Sequence, residues 1–200
     1  MDIKLHPMIQ SYFDYCYGYL DRDIKKSMSS SSNEIYGELY YYSVVKLLKY
    51  LNLTEKAHFL DIGSGFGKIV FQIFLTTNVS SATGIEINNQ RHSIACSAKK
   101  IMEDNLPEIF NKNRKLYLIN NNFLNINLDN LNNITMIYIC CAVFSFELLS
   151  DIGNKINSMR SVQTVVSFRK LPNLSNFKLT KKIFLHGSWD YAPCYLYRRN

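Results

Sequence analysis

The segment HFLDIGSGFGKIVFQ, residues 58–72, limits the folds open to this chain more than any other part of the sequence. A short apolar run ends in Asp61, glycines follow at 63, 65 and 67, and the next residues have helical spacing. Glycine adopts the positive φ angles of sharp turns and lets the backbone approach a ligand closely. The amino terminus of the following helix attracts electron-rich ligand groups. The segment therefore predicts a strand, a ligand-binding turn and a helix.

The same alternation of strand and helix continues along the chain. We predict buried strands at 58–62, 82–87, 116–119 and 134–141, and helices between them at 67–75, 88–102 and 144–159. Strands that alternate with helices form parallel sheets with helices on both faces. Segments 161–168, 177–185 and 189–197 follow, the last two without a helix between them, which predicts an antiparallel hairpin at the carboxyl terminus. The fold class is thus α/β.

The first 32 residues differ in pattern from the rest of the chain. A helical segment at about 7–26 precedes the serine-rich run 27–32, which predicts a linker. We therefore divide the chain into an amino-terminal helical segment with its linker, 1–32, and one α/β domain, 33–200. Within that domain an amphipathic helix is expected at 38–51.

Composition excludes several classes of protein. A hydrophobic fraction of 47% with 20% charged residues is typical of a globular chain. The longest apolar run, 136–144, is shorter than the roughly 20 residues of a membrane span, so we expect an intracellular protein, nuclear or cytoplasmic, without a membrane partner. The five cysteines form no Cys-x-x-Cys pair, which argues against a structural metal site.

The glycine-rich turn has the features of an S-adenosylmethionine site. In a dinucleotide fingerprint a third glycine would stand where this chain has Lys68. A carboxylate at Asp61 would repel a pyrophosphate, but it suits the amino group and the sulfonium of S-adenosylmethionine. Glu86 ends the next strand, where a carboxylate accepts hydrogen bonds from both ribose hydroxyls. After the third strand, Asn122 and Phe123 are expected to bind the exocyclic amine and one face of the adenine.

Several motifs together resemble a known family. The chain has IYGEL at 35–39, LDIGSGFGKIVFQ at 60–72, then GIE, NNF and a late SW…P…Y hairpin. This set resembles the non-SET histone lysine methyltransferases of the disruptor of telomeric silencing family. The resemblance implies a Rossmann-like class I methyltransferase fold, with a mostly parallel seven-stranded sheet. It also implies that Tyr36 and Glu38 fold over the methionine end of the cofactor and help to frame a lysine channel.

The candidate residues fall into two groups. For the cofactor they are Tyr36, Glu38, Asp61, Gly63, Ser64, Gly65, Gly67, Lys68, Glu86, Asn122, Phe123 and Cys140. For the substrate channel and catalysis the resemblance implies Tyr36, Phe144, Trp189 and either Tyr195 or Tyr197. The chain departs from the family at Lys68, where the family has Gln, at Asn122, where it has Asp, and at Cys140–Cys141, where it has an Asn pair.

Methyl transfer to a protein lysine is the function that these residues favour. A lysine attacks only as the neutral amine, and a narrow aromatic channel lowers its pKa by removing water. Trp189, Tyr195 and Tyr197 are suited to such a wall, and Tyr36 could close it. The expected partner is a protein with an accessible lysine, such as a histone or a nucleosome.

Two other functions remain open at this point. The last third of the chain, from Lys155, carries nine lysines and arginines and one acid, which favours contact with nucleic acid and leaves an RNA or DNA methyltransferase as an alternative. A cytosine-C5 enzyme would use a cysteine nucleophile, and Cys140 or Cys141, at the end of the fourth predicted strand, could serve as one. The other alternative is a regulatory protein that binds S-adenosylmethionine without transferring the methyl group.

Overall fold

Seven strands form one sheet in the order β3-β2-β1-β4-β5-β7-β6 within the part of the chain that the structure describes. This computed structural model describes residues 7–30, 37–110 and 113–200, with side chains from residue 9 to 28 in the first range. The strands are β1 His58–Ile62, β2 Ser81–Glu86, β3 Lys115–Asn120, β4 Met136–Ile139, β5 Thr164–Ser167, β6 Phe177–His186 and β7 Tyr191–Arg199.

The sheet is parallel except at its carboxyl-terminal end. β1 pairs in parallel with β2 and β4, and the same direction continues to β3 and β5. β7 lies antiparallel between β5 and β6. The predicted mostly parallel seven-stranded sheet with its antiparallel hairpin is therefore confirmed. Because β2, β4 and β5 are buried at every residue, they are covered on both faces, as parallel strands are in α/β proteins.

Helices connect the parallel strands and cover the sheet. They are α1 Pro7–Gly18, α2 Asp21–Ser30, α3 Tyr41–Leu48, α4 Lys68–Thr76, α5 Asn89–Asn105, α6 Pro107–Phe110 and α7 Phe146–Ser158. α4 packs on β1 and β2, and α5 packs on β2 and β3. Within the described residues, no helix is long and apolar enough to span a bilayer.

The amino-terminal segment differs from the prediction in two ways. It forms two helices, and α2 continues through Ser30, so the predicted linker is wrong for residues 27–30; residues 31 and 32 lie outside the described residues. Ser27 is buried, which shows that this part of the serine run packs against the protein. α1 and α2 pack against α5, and Phe13, Cys16 and Tyr17 belong to the main hydrophobic core. The segment is thus continuous with the α/β domain.

α3 begins later than the helix predicted at 38–51, because residues 39 and 40 pair with the carboxyl-terminal hairpin, and it ends at Leu48. Leu39 forms an antiparallel bridge with Gly187. The backbone N–H of Tyr40 donates to the carbonyl of His186 at 3.2 Å, and the helix begins at Tyr41. α3 therefore covers the outer edge of β6 near His186.

Gly153 in α7 has the least room for a side chain among these helices. A Cβ there would lie 2.0 Å from the carbonyl oxygen of Pro172, whereas one on Gly18 would meet nothing within 4 Å. We expect Gly153→Ala to lower the free energy of unfolding by about 1–3 kcal/mol because of overpacking.

Gly18→Ala serves as the matched control, and it should be neutral or stabilising by about 0.5–1 kcal/mol because alanine loses less backbone entropy. Urea unfolding of both variants measures the difference. Equal stability of the two proteins would contradict the packing described for α7.

Candidate active site

The glycine-rich turn between β1 and α4 has the backbone that its sequence predicts. Gly63, Gly65 and Gly67 have φ angles of 78°, 54° and 80°, which lie in the left-handed region. The N–H groups of Gly63 and Ser64 donate to the carbonyl of Ile85 at 2.9 and 3.0 Å. The turn is thus fastened to the end of β2, at the edge of the sheet where ligands of open α/β folds bind.

Glu86 holds the same turn from the end of β2. Its carboxylate accepts hydrogen bonds from the backbone N–H groups of Gly65, at 2.7 Å, and Asn88, at 2.8 Å. The side chain is buried, and each carboxylate oxygen retains a second lone pair. The predicted contact with a ribose stays a prediction, and the structure adds a role for Glu86 in holding the glycine turn.

Asp61 has a buried carboxyl oxygen without a hydrogen-bond partner at any residue that the structure describes. It lies beside Tyr138 of β4 in the sheet register, and both residues are buried. Neither Asp61 Oδ1 nor the Tyr138 hydroxyl has a hydrogen-bond partner among the described residues. Burial, and then the nearby charge of Glu86, raises the pKa of Asp61 well above its ordinary value. A buried carboxylate of this kind is stabilised by a cationic hydrogen-bond donor.

Six of the twelve predicted cofactor residues line one small cavity of about 20 Å³. Asp61 and Tyr138 form part of its lining, together with Glu38, Gly63, Ser64, Lys68 and Cys140. It opens between β1 and β4, where the order of the strands reverses, which is the usual ligand position in this architecture. The ammonium group of S-adenosylmethionine fits this lining, because it would supply the donor that Asp61 lacks.

The segment at Gly37 and Glu38 forms one wall of the cavity. The thiol of Cys140 donates to the carbonyl of Gly37 at 3.7 Å. Glu38 and Ser188 are joined twice, from Ser188 N to Glu38 O at 2.8 Å and from Glu38 N to Ser188 Oγ at 3.1 Å. The Glu38 carboxylate also pairs with Lys68 Nζ at 2.7 Å. The other predicted residue of this segment, Tyr36, lies outside the described residues.

Trp189 and Phe144 flank the cavity as aromatic side chains. The indole of Trp189 packs on two glycines, since a Cβ on Gly37 would lie 2.5 Å from it and one on Gly187 2.7 Å. A Cβ on Gly63 would lie 3.4 Å from the ring of Phe144. Both predicted channel residues therefore lie next to the backbone that lines the cavity.

Tyr195 and Tyr197 lie apart from this group. The hydroxyl of Tyr197 accepts a hydrogen bond from Leu171 N at 3.2 Å in the buried interior, which is the environment of a packing residue and does not support its predicted place in the channel. Because β7 runs antiparallel, Tyr197 pairs with Val165, whereas Tyr195 pairs with Ser167 at the carboxyl end of β5. Tyr195 is half-buried, with Lys182 Nζ 5.9 Å from its ring centre, and its role in a channel stays a prediction.

Asn122 and Phe123 follow β3 at a short 3₁₀ helix, Phe123–Asn125. The Asn122 side chain caps this helix by accepting from Leu124 N at 3.0 Å. Phe123 is buried, and Lys155 Nζ lies 4.9 Å from its ring centre while it donates to the Phe123 carbonyl at 2.7 Å. The structure thus shows how the turn is held, and its contact with adenine stays a prediction.

The thiols after β4 do not have the properties of a nucleophile. Burial, with a smaller contribution from Asp61, raises the pKa of Cys140 to about 12. Burial also raises the pKa of Cys141, which is fully buried. Since the thiolate is the reactive form, protonated thiols argue against the cytosine-C5 alternative.

Three further residues shape the site, and of these only Gly84, in the GIE motif, belongs to a motif noted in the sequence. Tyr138 carries the second unpaired polar group of the cavity. Gly84 leaves room for Ser64, whose Oγ would lie 2.7 Å from a Cβ at that position. Tyr17 of α1 donates from its hydroxyl to the carbonyl of Phe66 at 2.8 Å, and Lys68 Nζ lies 5.0 Å from its ring centre. These contacts join segments far apart in sequence, so residue spacing does not reveal them.

Replacement of Asp61 tests whether its unpaired carboxylate receives the ligand. We expect Asp61→Asn to stabilise the ligand-free protein by about 1 kcal/mol, because a neutral amide costs less to bury than a charge. The same change should weaken S-adenosylmethionine binding about tenfold or more, because a charge-assisted hydrogen bond is lost. Thermal unfolding and calorimetric titration measure the two effects.

The wild-type affinity should fall as the pH is lowered through the raised pKa of Asp61, because only the ionised carboxylate attracts the ammonium group. Asp61→Asn should lack this dependence. Asp129→Asn, at an exposed acid, is the control that should change neither measurement. Unchanged binding by Asp61→Asn would contradict the assignment.

Replacement of Tyr17 tests whether α1 positions the glycine turn. We expect Tyr17→Phe to weaken S-adenosylmethionine binding about fivefold, since a buried hydrogen bond contributes about 1 kcal/mol. Tyr19→Phe is the matched control, because the Tyr19 hydroxyl donates to Tyr15 at an exposed position. A lower melting temperature with unchanged cofactor affinity would show that Tyr17 only packs.

Comparison with known proteins identifies the family. The sequence model of the family described as "Histone methylation protein DOT1" matches residues 20–184. A Drosophila melanogaster protein named "Histone-lysine N-methyltransferase, H3 lysine-79 specific" is 24% identical over 164 residues, which are 82% of this chain. The chain spans only 9% of the length of that relative.

Solved methyltransferase structures share the fold. An RNA methyltransferase from Salinibacter ruber, in complex with S-adenosylhomocysteine, aligns with a TM-score of 0.56 over 78% of this chain and 89% of its own, at 16% identity. TrmK from M. capricolum, in complex with the same product, aligns with a TM-score of 0.55 over 80% of this chain and 67% of its own, at 16% identity. Both confirm the predicted Rossmann-like class I methyltransferase fold. On the family match, which extends over most of its length, this chain belongs to the DOT1 family of histone methylation proteins.

Proposed function

We propose that this chain transfers a methyl group from S-adenosylmethionine to the side-chain amine of a lysine in a protein. One observation supports this more than any other. The buried carboxylate of Asp61 faces a cavity lined by the glycine turn and lacks a donor that the cofactor's ammonium group would supply. Membership of the DOT1 family supports the lysine as acceptor.

The proposed substrate is a histone within a nucleosome. The family description refers to histone methylation, and the name of the Drosophila relative specifies lysine 79 of histone H3. A nucleosomal substrate would place the protein in the nucleus. Nucleosomes also carry DNA, so a contact between nucleic acid and the basic last third of the chain belongs to the same proposal.

The basic third offers fewer cations for such a contact than its composition suggests. Lys155, Arg169, Arg198 and Arg199 donate to backbone carbonyls within the protein, at Phe123, Phe144, Tyr50 and Met159 respectively. Lys178, Lys181 and Lys182 instead lie exposed on β6. The proposed contact is therefore centred on this strand.

The residues of the cavity would act mainly by orientation. S-adenosylmethionine supplies the electrophilic methyl group, and transfer needs the amine aligned in line with it. Asp61 and the glycine turn would hold the amino-acid end, and Glu86 the ribose. The Glu38–Lys68 ion pair and the Glu38–Ser188 hydrogen bonds fix the segment at Gly37 and Glu38, which forms one wall of the cavity. Holding the cofactor and the lysine in one reactive geometry removes most of the entropy cost of bringing them together in the transition state.

Trp189 and Phe144 would prepare the lysine. Their rings lie against Gly37 and Gly63, beside the cavity, and would exclude water from an entering side chain. Loss of water disfavours the charged ammonium, lowers the lysine pKa and so increases the fraction of reactive amine. Among the residues described here the cavity lining includes no histidine, and amine methylation requires no dedicated general base once the lysine is neutral.

Methyl transfer to several acceptors tests the proposal directly. Wild-type protein and Asp61→Asn are given radiolabelled S-adenosylmethionine with nucleosomes, free histones, total RNA or denatured whole-cell protein. We expect label on the histones of nucleosomes from the wild-type protein only. Acid hydrolysis of the labelled histone should yield methyl-lysine.

A second variant separates the channel from the cofactor site. Trp189→Ala should lower kcat about tenfold or more because water enters the channel, with a smaller change in cofactor affinity. Label on RNA alone would overturn the protein-lysine assignment and favour the RNA alternative. Cofactor binding without label on any acceptor would favour a non-catalytic regulatory protein.

A further inference from the structure

An exposed row of aromatic rings runs along α3 and the β6–β7 hairpin. We call Tyr40, Tyr42, Phe184, His186 and Tyr191 the aromatic row. Phe184 and Tyr191 are stacked with their centres 5.6 Å apart, and Tyr40 and Tyr42 with theirs 5.9 Å apart. His186 joins the two pairs, at 5.0 Å from Tyr40 and 6.3 Å from Tyr191. Tyr42 and Tyr191 are each 56% exposed, so a large part of the row faces solvent.

Lysines accompany the rings along the row. Lys182 Nζ lies 5.0 Å from the centre of Phe184, and Lys46 Nζ lies 5.8 Å from that of Tyr191. Lys181 lies on the other face of β6, with its Nζ 4.3 Å from the ring centre of Tyr50. Asp190, the acid adjacent to Tyr191, accepts a hydrogen bond from the Tyr191 backbone at 2.6 Å. The surface therefore combines exposed π-faces with a local excess of positive charge.

Rigid elements hold the row in place. The Tyr42 hydroxyl and His186 Nδ1 are 2.8 Å apart, and Lys46 Nζ donates to the Phe184 carbonyl at 3.0 Å. The backbone N–H of His186 donates to Ser43 Oγ at 3.0 Å. These bonds fasten α3 to the edge of β6, so the rings would lose little freedom when a ligand binds.

We propose that the aromatic row binds single-stranded nucleic acid. The bases stack on Tyr40, Tyr42, Phe184 and Tyr191, and the phosphates lie against Lys46 and Lys182. Stacked, exposed aromatics beside a basic track are the usual platform for unpaired bases, because every base has a π-face. The row continues into the turn that holds Trp189, which brings a bound strand to the edge of the candidate cavity.

The alternatives fit this surface less well. Duplex DNA buries its base faces within the helix, so a contact of nucleosomal DNA with the lysines of β6 would leave the rings unused. A protein segment that docks by its apolar side chains would bury them against apolar surface, whereas the row carries hydroxyl groups and lies beside ammonium ions. Binding of a single strand to the aromatic row does not require methyl transfer, so the two can be tested separately.

Fluorescence anisotropy with the full chain tests the proposal. The probes are labelled single strands of about 12 uridines or thymidines, a length within the range that such platforms bind, and the matching duplex. We expect the single strands to bind more tightly than the duplex. Tyr191→Leu and Phe184→Leu should each weaken single-strand binding about tenfold, and Tyr191→Phe should preserve it, because stacking needs a ring.

Salt dependence and matched controls complete the test. Lys182→Gln should reduce the slope of log affinity against log salt by about one. Tyr117→Leu and Lys115→Gln, at exposed positions on the opposite edge strand β3, should change nothing. Melting temperatures verify that each variant is folded.

Three outcomes would overturn the proposal. One is equal or tighter binding of the duplex. Another is single-strand binding that depends on Lys182 but not on Tyr191 or Phe184. The third is no binding of either the single strands or the duplex at low salt. If Tyr191→Leu weakens binding to histone octamers in that case, the row binds protein instead.

Discussion

Two buried carboxylates at neighbouring strand ends determine most of what this site can hold. Glu86 is satisfied by backbone N–H groups of Gly65 and Asn88, and in return it fixes the glycine turn. Asp61 has no such compensation at Oδ1, and the proximity of Glu86 makes its ionisation still less favourable. Glu86 therefore stabilises the fold itself, whereas Asp61 has an oxygen that only a ligand would satisfy. A cationic ligand would lower the energy of the whole arrangement.

The wall opposite Asp61 consists of contacts between distant parts of the chain. Lys68 follows the glycine turn, and it is paired with Glu38 and placed against the ring of Tyr17. Glu38 is bonded in turn to Ser188 of the carboxyl-terminal hairpin. A second cavity of about 210 Å³ lies between α1 and residues 38–42, and Glu38 and Lys68 line both cavities. Their ion pair thus separates the candidate cofactor cavity from the groove beside α1.

Local sequence patterns predicted the parts of the protein that depend on local physics. The bounds of β1 were correct, and the three glycines of the turn have the expected positive φ angles, since apolar periodicity and glycine act over a few residues. The early start expected for α3 was wrong because Leu39 pairs with Gly187, far away in sequence. Of the alternatives Tyr195 and Tyr197, the antiparallel direction of β7 pairs Tyr197 with Val165, farther from the carboxyl end of β5, and this direction could not be read from residue spacing. Tyr138 likewise lies in the site because its strand pairs with β1 in a register that places it beside Asp61, and spacing along the chain does not reveal this register.

Trp189 lies where the two sides of the candidate site meet. Its indole packs on Gly37 and Gly187 and contacts the edge of Phe168, with ring centres 5.5 Å apart. A side chain held between two backbones cannot keep both contacts when one of them moves. It is also the chain's single tryptophan. Indole emission shifts with the access of water to the ring, and it can be excited apart from the tyrosines, so the spectrum of Trp189 reports how far water reaches this wall.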